Sequence, residues 1–283
     1  MKLTVITPVY NGERFIRQCL DNVIAQDCPG VEHLVLDGCS KDGTVAILEE
    51  YATRYPHLRW ISEPDQGQSD AMNKGIRLAA GEVISFLNVD DFYESGALRR
   101  VVELFRTLPE PSLLVGNCKV IDDDGALLFI NKPARLKLAE LLVGPEVNPW
   151  PINPAAYFYH RSLHGQVGPY DVNEHYALDL EFLLRAVQKA QVRYVDETFG
   201  YFRLIRGTKT FSDWEAGSNV GRCQTLLLRY RKDLPPLLRH GFPVYRLGQK
   251  LRHWSGYVVD PKRFFEVLSR KIERKIRKVK RIA

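Results

Sequence analysis

The first hundred residues alternate short apolar runs with segments of helical periodicity. The apolar runs LTVIT, HLVLD, RWIS and EVISFL predict four strands. Apolar residues that recur every three or four positions predict helices over about 13–26, 44–55, 69–80 and 95–108. Strands that alternate with helices favour a mostly parallel sheet with helices on both faces. The pattern therefore predicts an α/β fold.

The middle of the chain follows other patterns. The apolar runs SLLVGNCKVI and ALLFIN flank Asp122-Asp123-Asp124-Gly125, and an Asp-Gly turn between apolar runs predicts a β-hairpin. For the three aspartates we favour a solvated hairpin tip over a metal site, because turn chemistry alone explains them. Further on, apolar residues at helical spacing predict a helix that starts near Asp179.

From about residue 218 the chain becomes basic and helical. We therefore expect two regions, residues 1–217 and residues 218–283. In the last stretch, apolar residues three or four apart form a stripe between Arg and Lys residues: Phe265, Leu268, Ile272, Ile276 and Val279. This pattern is typical of a helix that lies on a membrane surface. A helix that packs on the protein's own core would show it too.

The composition is that of a folded globular enzyme, with 45% hydrophobic and 26% charged residues in a chain of 283. The five cysteines are odd in number and form no Cys-x-x-Cys, which favours a reducing compartment over a disulfide framework or a zinc site. No run approaches the roughly 18 to 20 apolar residues of a membrane-spanning helix. We therefore expect a cytoplasmic protein that is neither secreted nor integral to a membrane.

The net charge of +6 is unevenly distributed along the chain. Residues 1–219 carry 22 Lys and Arg against 30 Asp and Glu, whereas residues 220–283 carry 18 against 4. A basic end on an acidic body indicates a polyanionic partner, either phospholipid or nucleic acid. The apolar spacing of the last helix suits lipid better. We expect a peripheral protein on the inner face of the plasma membrane and no nucleic-acid partner.

Polar residues follow three of the predicted strands, where ligands of parallel sheets bind. They are Pro8-Val9-Tyr10-Asn11-Gly12, Asp37-Gly38 and Asn88-Val89-Asp90-Asp91. Divalent metals such as Mg²⁺ and Mn²⁺ prefer oxygen ligands, so Asp90 and Asp91 are metal candidates, although a helix N-cap would explain one of them. Asp179 is a candidate general base or a residue that stabilises the helix dipole.

Six motifs follow one another in a specific order: Thr7-Pro8-Val9-Tyr10-Asn11-Gly12, Leu36-Asp37-Gly38-Cys39-Ser40-Lys41-Asp42-Gly43-Thr44, Glu63-Pro64-Asp65-Gln66-Gly67, Asp70-Ala71-Met72-Asn73-Lys74-Gly75, Gly81-Glu82 and Phe86-Leu87-Asn88-Val89-Asp90-Asp91. This order resembles the family-2 glycosyltransferases of polysaccharide, O-antigen and cell-wall biosynthesis, which have the GT-A fold. The resemblance resumes at Tyr176-Ala177-Leu178-Asp179 and covers about residues 3–210. It implies a Rossmann-like sheet and transfer of a sugar from a nucleoside-diphosphate sugar to an acceptor hydroxyl.

The resemblance also implies roles for individual residues. Those expected to bind the nucleotide or the donor are Thr7, Pro8, Tyr10, Asn11, Asp37, Asp65, Asp70, Asn88 and Val89. Asp90 matches the principal ligand of a divalent metal, Mn²⁺ or Mg²⁺, with Asp91 beside it. Asp179 matches the general base of a direct displacement that inverts the anomeric carbon.

The sequence departs from the family pattern at two positions. Asn88 stands where many relatives carry the first Asp of an Asp-x-Asp signature, so it offers an oxygen without a charge. Ile205 stands where many relatives carry a His that reaches the metal or the diphosphate. Cations suit phosphate oxygens, and three residues could replace that His: Arg203, Arg206 and Lys209.

The acceptor is expected to be a glycan or lipid-linked, since a soluble acceptor would need no basic docking region. Trp150 and Tyr157 could stack on a sugar or pack in the core, and we expect residues 131–175 to choose the acceptor. Asn88 and Ile205 leave open a domain that binds nucleotide sugars without turning them over. The presence of all three acidic candidates favours an active enzyme.

Overall fold

The structure is a computed structural model that describes residues 1–208, 211–212 and 219–259. All the strands and helices predicted for the first hundred residues are present. Their bounds are β1 Leu3–Val9, α1 Glu13–Ile24, β2 Val31–Asp37, α2 Thr44–Arg54, β3 Leu58–Ser62, α3 Gln68–Leu78, β4 Val83–Phe86, β5 Phe92–Tyr93 and α4 Ala97–Phe105.

The later elements combine short strands with helices of very different length. They are β6 Ser112–Ile121, β7 Leu127–Asn131, α5 Leu138–Leu141, β8 Tyr157–His160, α6 His164–Val167, α7 Leu178–Ala186, β9 Gln191–Arg203, α8 Asn219–Tyr230 and α9 Pro236–Val259. The hairpin prediction is confirmed, because β6 and β7 pair antiparallel across the aspartate-rich turn. The apolar stripe predicted for residues 265–279 lies outside the described residues.

Nine strands form one sheet in the order β3-β2-β1-β4-β8-β6-β9-β5, with β7 paired to β6. The four strands at one side, β3, β2, β1 and β4, are parallel, as predicted. Next to them β8 runs antiparallel to both β4 and β6, while β6 and β9 pair in parallel. The parallel half therefore aligns the carboxyl ends of β1, β2 and β3 at one edge.

Helices cover both faces of the sheet, and alternate residues of each strand point to opposite faces. On one face, Ile6 and Phe86 pack with residues of α3 and α7. On the other face, Val5 and Val83 pack with residues of α4. A third cluster joins α1 and α2 to β2. The predicted α/β fold is therefore confirmed.

Helices α8 and α9 pack on the same core as α7. Leu226 and Tyr230 of α8 and Phe242 of α9 are buried in that cluster. Helix α8 begins close to the predicted boundary at residue 218, and the division into two domains stays a prediction. Within the described helices, no stretch is long and apolar enough to cross a lipid bilayer.

Candidate active site

The loops after β1, β2 and β3 are tied together at the carboxyl edge of the sheet. Gly38 N donates to Val9 O at 2.9 Å, and Glu63 N donates to Asp37 O at 3.0 Å. The side chain of Asn11 accepts from Lys41 N at 2.8 Å, while Asn11 N donates to Ser40 Oγ at 2.8 Å. These bonds hold a fixed rim where parallel sheets bind their ligands.

Two of the residues predicted to bind nucleotide are buried inside this rim. Asp37 accepts hydrogen bonds from the backbone and hydroxyl of Ser40 and from Ser62 Oγ at 2.6 Å. The Thr7 hydroxyl is fully buried and lies 3.0 Å from His33 Nε2. Both side chains therefore build the rim and do not face the solvent, while their nucleotide contacts stay a prediction.

Tyr10 and Asp65 converge above Gly38. A Cβ added at Gly38 would lie 2.6 Å from Asp65 Oδ2 and 3.5 Å from Tyr10 Cδ2. The Tyr10 ring is 62% exposed, and Asp65 Oδ1 accepts from Gly67 N at 2.8 Å. Pro8 lies at the adjacent end of β1. An open aromatic face beside a carboxylate acceptor suits a nucleobase, which can stack and donate.

Helix α3 connects this rim to the segment that precedes α7. Asp70 Oδ2 accepts from Gln66 N at 3.1 Å and pairs with Lys74 Nζ at 3.6 Å. Asn73 exchanges two hydrogen bonds with the backbone of Tyr170, at 2.9 and 2.8 Å. Helix α3 thus contacts both the loop that precedes it, which is predicted to meet the donor, and the segment that leads to α7 and Asp179.

The Asp91 carboxylate is buried and saturated with donors. It accepts from Asn88 Nδ2 at 2.9 Å, Asn153 Nδ2 at 2.7 Å and Arg203 N at 3.0 Å. Burial, followed by the charge of Asp90, raises the pKa of Asp91, while the three donors oppose this shift. These hydrogen bonds hold the loop after β4, and metal binding by Asp91 stays a prediction.

Asp90 is placed differently. Its side chain is only partly buried, and burial raises its pKa while the nearby Arg203 guanidinium lowers it. Within the described chain no side chain hydrogen-bonds its carboxylate. Val89, next to it, packs between the core and Gly12, 3.3 Å from a Cβ added at that glycine. Asp90 is thus the acidic residue of this loop whose oxygens are available.

Asn88 is oriented by Asp91. Asn88 Nδ2 donates to Asp91 Oδ2 at 2.9 Å, and Asn88 Oδ1 accepts from Gln68 Nε2 at 3.0 Å. One carboxylate and one amide oxygen fit Mg²⁺ or Mn²⁺, which often take one or two protein carboxylates and complete their shell with phosphate oxygens and water. Among the described residues there is no cluster of three or more His, Cys, Asp and Glu that could hold a metal.

Arg203 braces the same loop. Its guanidinium carbon lies 4.5 Å from the centroid of Phe92 and 5.2 Å from that of Phe15, and its Nε donates to Asp90 O at 2.6 Å. Buried Nη2 has no hydrogen-bond partner within the described residues. Burial lowers the pKa of Arg203.

The other positions near the missing His are less centrally placed. Ile205 is buried, and Arg206 is exposed and pairs with Asp123 of the hairpin tip, with Nε 3.7 Å from Oδ2. Lys209 lies outside the described residues.

Asp179 occupies the first turn of α7 and receives one strong hydrogen bond. Tyr157 OH donates to Asp179 Oδ1 at 2.5 Å. Burial raises the pKa of Asp179 to about 6, and the Tyr157 hydrogen bond partly offsets that rise. The side chain remains partly exposed. Such a carboxylate is ionised at neutral pH yet more basic than an ordinary aspartate, which suits a general base.

The segment of residues 153–157 contacts both Asp91 and Asp179. Asn153 donates to Asp91, and Tyr157, four residues later, donates to Asp179. Tyr157 is fully buried beside Tyr159, so it packs in the core and does not stack on a sugar. Trp150 is also part of the core packing, with Nε1 bonded to Leu141 O at 2.9 Å. The contact of Asn153 with Asp91 was not predicted from the sequence, because the Asn-Pro pair there indicates only a turn.

Comparison with known proteins finds relatives that are described as glycosyltransferases. The family model described as "Glycosyl transferase family 2" matches residues 4–155. An uncharacterised glycosyltransferase of Mycobacterium tuberculosis is 34% identical over 186 residues, which is 65% of this chain and 68% of that protein. An uncharacterised glycosyltransferase of Nostoc is 32% identical over 129 residues, 43% of this chain; the match spans only 40% of the length of that relative.

Solved structures share the fold. TarS of S. aureus (residues 1–349, in complex with UDP-GlcNAc) superposes with a TM-score of 0.66 at 20% identity, over 92% of this chain and 76% of that one. A mannosyltransferase of Pyrobaculum calidifontis, in complex with GDP-Man and Mn²⁺, gives a TM-score of 0.59 at 19% identity, over 96% and 80% of the two chains. At these identities the likeness shows the fold alone.

Proposed function

The chain belongs to glycosyl transferase family 2 and is a glycosyltransferase, and from that premise we propose that it moves a sugar from a nucleoside-diphosphate sugar to an acceptor hydroxyl with inversion at the anomeric carbon. The observation that carries this proposal is that three carboxylates have different surroundings. Both oxygens of Asp91 accept hydrogen bonds. Asp90 lies after β4 with its pKa raised by burial, and Asp179, whose pKa is also raised, accepts a hydrogen bond from Tyr157.

The donor would bind along the carboxyl edge of the parallel strands. Tyr10 and Asp65 would receive the base, and Asp70 in the first turn of α3 would approach the sugar. Two of the structural neighbours were solved with UDP-GlcNAc and GDP-Man, which supports a nucleotide sugar as donor. The remaining predicted contacts, from Pro8, Asn11 and Asp37, would act by holding the rim in shape.

A divalent cation, Mn²⁺ or Mg²⁺, would be held by Asp90 with the Asn88 amide oxygen beside it. Its chemistry is to neutralise the charge that develops on the departing diphosphate. Arg203 fixes the backbone of Asp90 and so positions this carboxylate. The presence of Mn²⁺ in the mannosyltransferase structure supports this part of the proposal.

Asp179 would take the proton from the acceptor hydroxyl as that oxygen attacks the anomeric carbon. Direct attack from the side opposite the diphosphate inverts the configuration. Tyr157 keeps Oδ1 occupied, so Oδ2 is the oxygen that receives the proton. A base with a pKa near 6 is mostly ionised at neutral pH and still has appreciable affinity for a proton.

The acceptor in this proposal is lipid-linked or a growing polysaccharide at an anionic membrane, where the chain is peripheral on the cytoplasmic side. The support is the charge distribution, 18 basic against 4 acidic residues after residue 219. Residues 1–217 would form the catalytic domain and residues 218–283 the docking region. If the full chain does not sediment with anionic vesicles at low salt, this part of the proposal is rejected.

The proposal is tested by thermal stabilisation with uridine, guanosine, thymidine and adenosine diphosphates, each with and without Mn²⁺. A ligand that binds only the native state at 100 times its Kd adds about 2.7 kcal/mol to the free energy of unfolding. We expect one nucleotide to stabilise the protein in a metal-dependent way. The shift should disappear in Asp90→Ala and persist in Asp124→Ala, a matched loss of an exposed aspartate at the hairpin tip.

No shift with any nucleotide would contradict the proposal. Nucleotide binding without any donor turnover would favour the alternative of an inactive binding domain, for which Asn88 and Ile205 are the reasons. Measurable donor hydrolysis that disappears in Asp179→Asn would exclude that alternative.

A further inference from the structure

Helix α9 carries apolar residues on two opposite faces. On its inner face Leu238, Phe242 and Tyr245 pack against the core that α7 also joins. Four other apolar residues are strongly exposed: Leu237 (89%), Val244 (75%), Leu247 (56%) and Leu251 (62%). At 3.6 residues per turn these four fall within an arc of roughly 80° on the side away from the inner face. We call these four residues the outer stripe.

The outer stripe is more than scattered surface leucines. Leu237 and Leu251 are 14 residues apart, so the stripe runs for about 21 Å along the helix. Single exposed apolar side chains are common on soluble proteins, but four along one face of a helix, with only His240 between the first two, mark a surface that contacts something else. Trp254, 58% exposed, continues the row by one turn. The four side chains of the outer stripe do not belong to the hydrophobic clusters of the described residues.

The charge around the stripe indicates the partner. Residues 236–259 contain no Asp or Glu, and Lys250 and Arg252 lie on the two sides of the stripe, whereas Arg246 Nε donates to Val143 O at 3.2 Å. An apolar stripe flanked by long basic side chains suits an anionic lipid surface, where the apolar groups insert and the cations meet the headgroups. A second copy that docked through its own stripe would bring the same positive charge against it and be repelled.

We propose that the outer stripe of α9 docks the enzyme on an anionic lipid surface, with Leu237, Val244, Leu247 and Leu251 inserted at the level of the headgroups. The inference deepens the proposed function and rests on it for the reason why the enzyme docks, namely a membrane-borne acceptor. It assigns the contact to a helix whose inner face packs on the catalytic core. Docking through α9 therefore fixes the orientation of the active site relative to the membrane, which a distant tail would not do.

The test is co-sedimentation of the full chain with vesicles of phosphatidylcholine mixed with phosphatidylglycerol, compared with phosphatidylcholine alone. The variant Leu247→Gln/Leu251→Gln removes two apolar side chains without changing charge, and Gln is a good helix former. Leu127→Gln/Ile130→Gln makes the same change at two exposed residues of strand β7. We expect the partition coefficient of the first variant to fall at least tenfold, about 1.4 kcal/mol, and that of the second to equal the wild type.

Three outcomes would overturn the inference. Failure of the wild-type chain to bind anionic vesicles at low salt removes the lipid surface as partner. Equal binding by wild type and the Leu247→Gln/Leu251→Gln variant assigns docking to another part of the basic region. A wild-type dimer that the same variant dissociates, without vesicle binding, assigns the stripe to self-association. Sedimentation velocity in the absence of lipid detects the last case.

Nucleotide-dependent thermal stabilisation, measured on the same samples, separates this inference from the proposed function. Loss of vesicle binding with intact nucleotide binding rejects the stripe only. Vesicle binding without any nucleotide binding rejects the transferase proposal and leaves the stripe standing.

Discussion

Two carboxylates in this molecule, one buried and one partly exposed, show how the donors around an acid separate a structural role from a chemical one. In the loop after β4, Asp91 receives three N–H donors, so both of its oxygens accept hydrogen bonds. At the start of α7, Asp179 receives one O–H donor, which leaves its second oxygen available. Burial raises the pKa of both groups. A raised pKa alone would therefore not distinguish the base from the anchor.

The largest expected effect is on activity, in Asp179→Asn. Removal of a general base typically costs about 10²- to 10⁴-fold in rate, and we expect a loss of transfer in this range. Nucleotide binding should be unchanged, because Asn still accepts the Tyr157 hydrogen bond. Steady-state transfer and nucleotide-induced thermal shifts, measured on one preparation, check both points. Transfer at the wild-type rate would remove Asp179 as the base.

The same substitution should stabilise the fold. The pKa of Asp179 is raised from 3.8 to about 6 in the folded state, so between these pH values the native protein holds a proton that the unfolded chain has released. The free energy of unfolding therefore falls as the pH rises through this window. Above pH 6, Asp179→Asn should gain up to about 3 kcal/mol in urea unfolding relative to wild type, and the gain should vanish near pH 4.

Asp91→Asn should have the opposite effect on stability. An amide NH₂ placed among three N–H donors leaves buried polar groups without partners, and we expect a loss of about 3 kcal/mol in urea unfolding at pH 7. Asp90→Asn, next in the chain and not saturated, is the matched control and should cost less than about 1 kcal/mol. Equal stability of the two variants would refute the anchor role of Asp91.

Tyr157→Phe removes the hydroxyl that donates to Asp179 and so tests its effect on the base. The Tyr157 hydrogen bond lowers the pKa of Asp179, so its loss should move the acid limb of the kcat/KM profile upwards by about one pH unit. Tyr159→Phe is the control, since its hydroxyl lies 2.9 Å from His164 Nε2, whereas the hydroxyl that donates to Asp179 is that of Tyr157. An acid limb that stays in place in Tyr157→Phe would show that this hydroxyl does not tune the base.

The smallest effect is expected for Asn88→Ala, which removes one of the three donors of Asp91. Because Asn88 is partly exposed, water can replace the lost amide, and the expected cost in urea unfolding is about 1 kcal/mol. Gln68→Ala removes the partner on the other side of Asn88 and should change stability by much less. A loss of several kcal/mol in Asn88→Ala would mean that this residue supports more than one donor to Asp91.

Local patterns in the sequence predict most of the fold because they require only short-range information. The short apolar runs of the strands and the period of about 3.6 in the helices give the elements of the first hundred residues, and the Asp-Gly turn gives the β6–β7 hairpin. Residues that end parallel strands also come together by geometry. The edge that carries Tyr10, Asp65 and Asp90 could therefore be predicted from the positions of the strands.

The roles of Asp90 and Asp91 could not be separated in the same way. The two residues are identical and adjacent, and they differ only in which partners reach them. Those partners, Asn153 and Arg203, come from 62 and 112 residues further along the chain. No periodicity encodes such contacts. The sequence likewise left Tyr157 open between a sugar contact and the core, because only the packing of β8 shows that its ring is covered.

We propose that Asp90 binds the metal, that Asp179 faces the reacting sugar and that Asp91 holds the loop after β4. The most direct measurement is a crystal structure of the chain with its nucleoside-diphosphate sugar and Mn²⁺, with the metal located by anomalous scattering. We expect the Mn²⁺ peak beside Asp90, and the Asp91 carboxylate still hydrogen-bonded to Asn88 and Asn153. The anomeric carbon should lie on the side of Asp179 Oδ2. A metal ion coordinated by Asp91, or a sugar remote from Asp179, would contradict it.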